Sequence, residues 1–541
     1  MNPLARRDRS ELLALLLSWA AGIGLFAPLL RAPRVSDDLF HIAWRRGWLP
    51  TTREAWDLFR FIDTGETALL RDGGVVPWFV EIEARGGMVR PLTSLSIAFD
   101  ITLFGDNPWP AHLHSLVWWA ALVGCARSLL PKQTTPVTRA LALCGFATSF
   151  VMVAPVGWIA NRGVLMAGVF SLLAYRAVLT QATTFSWRAL GLACLAGLCG
   201  EYSLCWTGLV ACLLLGGDGS WRERVRTAAA VVVPVALLFA LGLSRGGGLS
   251  TTAYLRPFDE PGRALAQLLP RYLLHASQLT SPWARPLVGD AVAHPVIALL
   301  LLVCAHLGVA VLAWRARHDR TTRGAVPGML AALAPVLVAP PNPRLLLPAS
   351  LGLWILFAGS PSRVKNALLG VLVVMGALQC SVTVRTTASQ ERQWFSEMRA
   401  DRLALGDLRA RSVLAFVDAD MESWFRLPLA WRIVAPAPRR VLGVSFGAAP
   451  SRIEHVNART LRVTGEDLIS PALLALREGA RPLRPGDEAN IGGVHVVVEA
   501  TRGATVTTLR VETPTDLERD WVLVQIRAHH ARVVTWIEAP R

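Results

Sequence analysis

The feature that most limits what this chain can fold into is a succession of long apolar runs separated by short loops rich in arginine. The hydrocarbon core of a bilayer is about 30 Å thick, and a helix needs roughly 20 apolar residues to cross it. The first run extends from Leu12 to Leu30, and others follow at about 113–130, 138–157, 163–181, 189–200, 203–215, 227–243, 291–313, 325–339, 345–360 and 367–384. Together they predict a polytopic α-helical membrane domain over 1–384 with about eleven transmembrane helices. Composition agrees, with 53% hydrophobic and 17% charged residues against about 45–50% and 25% in soluble chains. Disorder, collagen and a disulfide scaffold are excluded.

The net charge of +16 does not mark a nucleic-acid partner. Of the 55 basic residues 53 are Arg, and they are spread among the loops instead of forming one patch. Fifteen Arg and Lys between Arg6 and Lys365 fall on one side of the predicted spans, against Arg162 and Arg344 in the short loops of the other. Because basic residues resist translocation, this bias predicts a cytoplasmic N-terminus and a protein of the inner membrane. The first run is longer than a signal-peptide core and leads into Pro33-Arg34 with no small-x-small cleavage site, so it reads as a membrane span. The eight cysteines all lie in or beside apolar runs, without CxxC or ligand spacing, and read as buried small hydrophobes.

On the opposite, periplasmic side the same count places a first loop, 31–112, in which residues 92–104 predict a short interfacial helix interrupted by Asp100. From 385 the composition changes. Val413–Val417, Val494–Val498 and Val522–Ile526 read as strands, Pro485-Gly486 and Gly492-Gly493 as turns, and 389–411 as a helix. Residues 385–541 are therefore expected to form a soluble, β-rich α+β domain in the periplasm.

Chemistry concentrates on that side. Asp37 and Asp38 lie about seven residues past the first span, where a carboxylate is costly unless paired or used. One could serve as a general base toward an acceptor hydroxyl; alternatively Ser36 or Asp37 caps a helix that begins at Leu39. Arg90, at the membrane plane, could hold a lipid-linked phosphate through paired donors or simply snorkel. Asp100 follows on the interfacial helix. His112 reads as a base or as a polar group near a helix start. Trp158, Arg162, Glu201 and Arg344 occupy short loops on the same side, a set suited to a sugar beside a charged lipid phosphate, though loop ends are commonly polar and Trp is common in the interfacial belt.

The order of these pieces carries a resemblance. Val35-Ser36-Asp37-Asp38 with Ile42, then Arg90-Pro91-Leu92 through Phe99-Asp100, Leu103-Phe104-Gly105, Asn107-Pro108 and His112-Leu113, resembles the first luminal loop of GT-C glycosyltransferases. The transmembrane and tetratricopeptide-repeat O-mannosyltransferases and their bacterial relatives are the most similar. Trp158-Ile159-x-x-Arg162-x-x-Leu165, Glu201 before a span, and Arg344-Leu345-Leu346-Leu347-Pro348-Ala349-Ser350 continue the similarity, which covers about 1–360.

The resemblance implies a membrane enzyme that takes a sugar from a polyprenyl-phosphate donor with inversion at the anomeric carbon. It implies Asp37 or Asp38 as base, Arg90, Arg162 and Arg344 toward the lipid phosphate, and Glu201 and His112 as supporting groups. The acceptor, whether glycan, lipid or protein, stays open. No cofactor is implied with certainty, and some relatives need a divalent metal while others do not. Ser115 and Trp119 stand where relatives often have Asn and His, Val164 where they often have an acidic residue, and Gly200 precedes Glu201 in place of Lys. The tetratricopeptide tail is missing, so protein mannosylation is not inherited. The alternatives are a transporter or lipid flippase, which would need paired polar interruptions within its spans, and a non-catalytic scaffold whose periplasmic domain binds a partner.

Overall fold

In the computed structural model the described residues are 3–63, 65–81, 85–131, 133–180, 186–244, 248–249, 254–255, 259–280, 303, 306–314, 319–339, 342–359, 363–408, 411–436, 440–447, 449–469, 481–527 and 530–533. They divide by compactness into two units. The first comprises Met1–Ala32, Val89–Arg245 and Tyr254–Ser389, and the second Pro33–Met88, Gly246–Ala253 and Gln390–Arg541.

The first unit is helical. Several of its helices start on the same short signal, a side-chain cap followed at once by proline. Asn107, Thr135 and Asn342 accept hydrogen bonds from the backbone N–H of Trp109, Thr138 and Arg344 at 3.1, 3.2 and 3.2 Å, and Pro108, Pro136 and Pro343 occupy the first helical position. The cap satisfies an orphan donor, and proline sits where no donor is needed. Small residues then let helices approach closely: a Cβ at Gly168 would collide with the ring of Trp206, and one at Gly145 with the ring of Trp354.

Among the described residues five helical stretches are long and apolar enough to cross a membrane: Arg9–Arg31, Ile159–Thr180, Trp221–Ser244, Thr321–Val338 and Asn366–Ala404. Counting Pro136–Ala147 and Phe150–Gly157, bent by 41°, as one broken span makes six. The difference from about eleven has a geometric reason. Expected crossings at 189–200 and 203–215 form the helices Trp187–Leu198 and Tyr202–Leu215, of 12 and 14 residues, each well short of the roughly 20 residues a crossing takes. Gly200, at φ +111°, turns the chain between them. The 113–130 run lies within the helix Pro108–Ala126, whose two His and paired Trp dilute its hydropathy. Most of the expected 291–313 crossing lies outside the described residues. The 92–104 stretch forms the 14-residue helix Pro91–Phe104.

The second unit contains three sheets. Strands β1 (Arg60–Ile62), β2 (Gly86–Gly87) and β3 (Gly248–Leu249) form a small antiparallel ribbon. Strands β4 (Val413–Val417), β5 (Arg440–Gly443), β11 (Trp521–Arg527) and β12 (His530–Val533) form a sheet in the order β12-β11-β4-β5. β11, β4 and β5 are parallel and β12 antiparallel, and the helix Met421–Val434 provides the crossover from β4 to β5. The third sheet is antiparallel, in the order β6 (Arg452–Asn457), β7 (Thr460–Thr464), β10 (Thr505–Glu512), β9 (Val494–Arg502), β8 (Glu488–Ile491). All three runs read as strands from their β-branched content are strands here. The 389–411 helix is realised as the end of a single 42-residue helix, Arg363–Ala404.

The 33–88 stretch, read from the sequence as part of a loop of the membrane domain, belongs to this unit. The helix Asp37–Arg45 packs on Met421–Val434, with the rings of Phe40 and Phe425 6.0 Å apart. The Trp78 indole N–H donates to the Val444 carbonyl at 3.1 Å, and Gly74, at φ +68°, leaves no room for a Cβ beside the Val441 carbonyl. Replacing Gly74 with Ala should therefore lower the melting temperature by roughly 2–4 °C or more, from strain of order 1–3 kcal/mol. Thermal unfolding of the detergent-purified chain checks this, and an unchanged midpoint would mean that 33–88 is not held against β5.

Candidate functional site

Asp37 and Asp38 form the first turn of the helix Asp37–Arg45. The helix starts two residues earlier than the sequence suggests, and Ser36, at φ +44° in the capping position, makes no side-chain cap bond. Instead Asp38 reaches back, its Oδ2 accepting from the Val35 N–H at 3.3 Å. Asp38 is 1% exposed and Asp37 half-buried. The positive end of the helix dipole favours negative charge at both. The expected cap by Ser36 or Asp37 of a helix starting at Leu39 is therefore not formed, and the carboxylate that holds the turn is that of Asp38.

The remaining candidates lie in the first unit, and the structure sorts them into two clusters. The inner one is built on Asp100 and Arg162, both with fully buried side chains, whose Oδ2 and Nη2 are 2.6 Å apart. Arg162 also donates to Ser115 Oγ at 3.1 Å, Ser96 Oγ at 2.8 Å and the Ala111 carbonyl at 2.6 Å. His114 completes the group, its Nδ1 2.8 Å from Asp100 Oδ1. The Trp118 indole N–H lies 3.1 Å from His114 Nε2. His114 Nδ1 also lies 3.0 Å from Arg162 Nη1, so the ring sits between the carboxylate and the guanidinium. Arg162 is therefore occupied by protein partners, as is His112, whose Nε2 lies 3.1 Å from the Ala32 carbonyl.

The second cluster brings together Arg90, Trp158, Glu201 and Arg344. Arg90 grips Glu201 with a two-pronged contact, Nε to Oε2 at 3.0 Å and Nη2 to Oε1, and its guanidinium lies 4.6 Å from the Tyr202 ring centroid. Gly200 makes this approach feasible, because a Cβ there would fall 2.4 Å from Arg90 Cγ. The resemblance would put Lys at this position; the φ of +111° and the Arg90 stem exclude it. Tyr202 donates to Asn161 Oδ1 at 3.3 Å. Arg344 stacks over Trp158 at 4.7 Å. Its Nε and Nη1 are buried with no hydrogen-bond partner, as are Trp158 Nε1 and Asn161 Nδ2. All four atoms are donors.

Tyr254 lies within electrostatic reach of the cluster. Burial holds its phenol above the ordinary range, and the Glu201 carboxylate and the Tyr202 phenol add to the shift while Arg344 and Arg90 oppose it. Tyr254 and His114 escaped the sequence reading. For His114 a signal existed: an acidic residue in an apolar helix needs a partner, and His114 is one of only two histidines on the next. Tyr254 lies in a polar loop with nothing to mark it. Among the described residues no group of three or more His, Cys, Asp and Glu is placed to hold a metal ion.

No protein-family model matches the chain, and no curated protein matches it. Six solved chains do. One is ArnT from Cupriavidus metallidurans, solved bound to undecaprenyl phosphate, with 12% identity and a TM-score of 0.40 over 92% of this chain and 97% of that one. Another is the Archaeoglobus fulgidus oligosaccharyltransferase, solved with a tethered acceptor peptide, with 9% identity and a TM-score of 0.42 over 80% of this chain and 63% of that one.

Removing one member of a buried ion pair leaves an uncompensated charge, at a cost of about 3–5 kcal/mol, whereas replacing both by apolar groups is often neutral. Arg162→Leu alone should accordingly destabilise the detergent-purified chain by that amount, and Asp100→Leu with Arg162→Leu by clearly less. Equal losses in single and double variants, measured by thermal unfolding, would contradict the pairing.

Proposed function

We propose that the chain is a membrane glycosyltransferase that moves a sugar from a polyprenyl-phosphate donor to an acceptor at the periplasmic face of the inner membrane. One observation carries the reading: Arg344, stacked on Trp158, keeps two buried guanidinium nitrogens without a protein acceptor. A buried, unsatisfied cationic donor is costly, and a phosphate oxygen satisfies it with a strong, charge-assisted bond. Arg90 differs, because Glu201 already occupies its fork.

In this reading the acceptor oxygen attacks the anomeric carbon as Asp37 or Asp38 takes its proton. The bond from that carbon to the phosphate oxygen breaks, its electron pair leaves with the lipid phosphate, and Arg344 offsets the charge that develops there. The attack comes from the face opposite the leaving group, so the configuration inverts. Trp158 and Asn161 donate to the remaining oxygens, and the Arg90–Glu201 pair holds Tyr202 in position. Arg162 and Asp100 act as the internal brace of this unit and His112 as a fastening for the chain at Ala32, so none of the three touches substrate. The Arg bias across the spans supports the orientation.

The test is transfer of labelled sugar from a polyprenyl-phosphate donor. Asp37→Asn or Asp38→Asn should lower kcat by about 10²–10⁴-fold, and Arg344→Gln should raise the donor KM by roughly tenfold or more. Wild-type rates in both Asn variants would refute the base assignment. Accumulation of sugar in vesicles with no covalent product would instead identify a transporter, and absence of donor binding a scaffold.

A further inference from the structure

At one end of the first unit, the start of Pro3–Phe26, the end of Pro108–Ala126 and the start of Pro136–Ala147 flank a small cleft open to solvent. Its polar lining is Ser10, Glu11, Arg127 and Arg139, and its apolar lining includes Leu130 and Leu143. Arg139 is 8% exposed. Its Nη1 meets Glu11 Oε1 at 2.7 Å, while its Nε is buried with no partner. Arg127 lines the same space, and among the described residues no carboxylate pairs with it. Arg139 therefore has the one carboxylate of the lining and Arg127 has none among the described residues, which leaves positive charge in excess beside the cleft.

These helix ends carry the basic side of the chain: the Arg6-Arg7 pair and Arg9 immediately precede Ser10. Basic pockets between helices at the cytoplasmic surface suit anionic headgroups, because the phosphate supplies the missing acceptor and the acyl chains stay in the hydrocarbon. Mixed lining of this kind, guanidinium beside leucine, matches a molecule with a charged head and an apolar body.

We propose that this cleft binds the phosphate of an anionic phospholipid headgroup, with Arg127 and Arg139 as its ligands. The site is independent of the transfer site and of the sugar donor. Glu11 orients Arg139, and the lipid joins the first helix to the two that follow.

The experiment titrates the detergent-purified full chain with phosphatidylglycerol, with diacylglycerol lacking a phosphate, and with inorganic phosphate, reading bound lipid by native mass spectrometry and stability by thermal unfolding. Phosphatidylglycerol should bind and raise the melting temperature, and diacylglycerol should do neither. Arg127→Gln should weaken binding roughly fivefold while leaving the lipid-free melting temperature unchanged, since Arg127 makes no ion pair to lose. Arg139→Gln should also weaken it, and the double variant should abolish it. Equal binding of the two lipids, or phosphatidylglycerol binding unaffected by Arg127→Gln, overturns the proposal. Displacement of phosphatidylglycerol by low concentrations of inorganic phosphate overturns the lipid as source and assigns the cleft to a soluble anion.

Discussion

Two opposite charges with no access to water, Asp100 and Arg162, set the conditions for the rest of the helical unit. Neither is tolerable alone in an apolar bundle, where an unpaired ion costs several kcal/mol. Their pairing at 2.6 Å, with His114, Ser96 and Ser115 around it, joins the helices Pro91–Phe104, Pro108–Ala126 and Arg162–Thr180 at one depth. The neighbouring cluster inherits its geometry from that brace, because Arg90 immediately precedes the first of these helices and Trp158 and Asn161 lead into the third.

Arginine serves three distinct ends in this chain, and position in the fold separates them. Arg162 is saturated by protein oxygens. Arg90 is matched by one carboxylate. The half-buried Arg344 and the buried Arg139 keep buried nitrogens left unsatisfied, which is the state that selects for an outside acceptor. Counting Arg on either side of the spans does not reveal these differences, since every guanidinium carries the same formal charge.

What the sequence revealed follows from how local each signal is. Long apolar runs, β-branched strands such as Val413–Val417, and cap-proline starts such as Asn107-Pro108 depend on neighbouring residues and could be read directly. Asp100 and Arg162 were both visible as candidates, but their partnership spans 62 residues and only folding reveals it, so nothing in the sequence marked the ion pair between them. The short helices around Gly200 looked like crossings because apolarity does not report length once a glycine at positive φ breaks the run. That 33–88 joins the C-terminal unit could not be read at all, for it rests on contacts such as Trp78 with Val444 that link residues hundreds of positions apart.

The central claim is that Arg344 and its neighbours receive the phosphate of a lipid-linked sugar. A structure of the purified chain with a polyprenyl phosphate bound tests it most directly. The account requires phosphate oxygens within hydrogen-bonding distance of Arg344 Nε or Nη1, with the Asp100–Arg162 pair intact. Phosphate seated on Arg162, or at any place out of reach of Arg344, would contradict it.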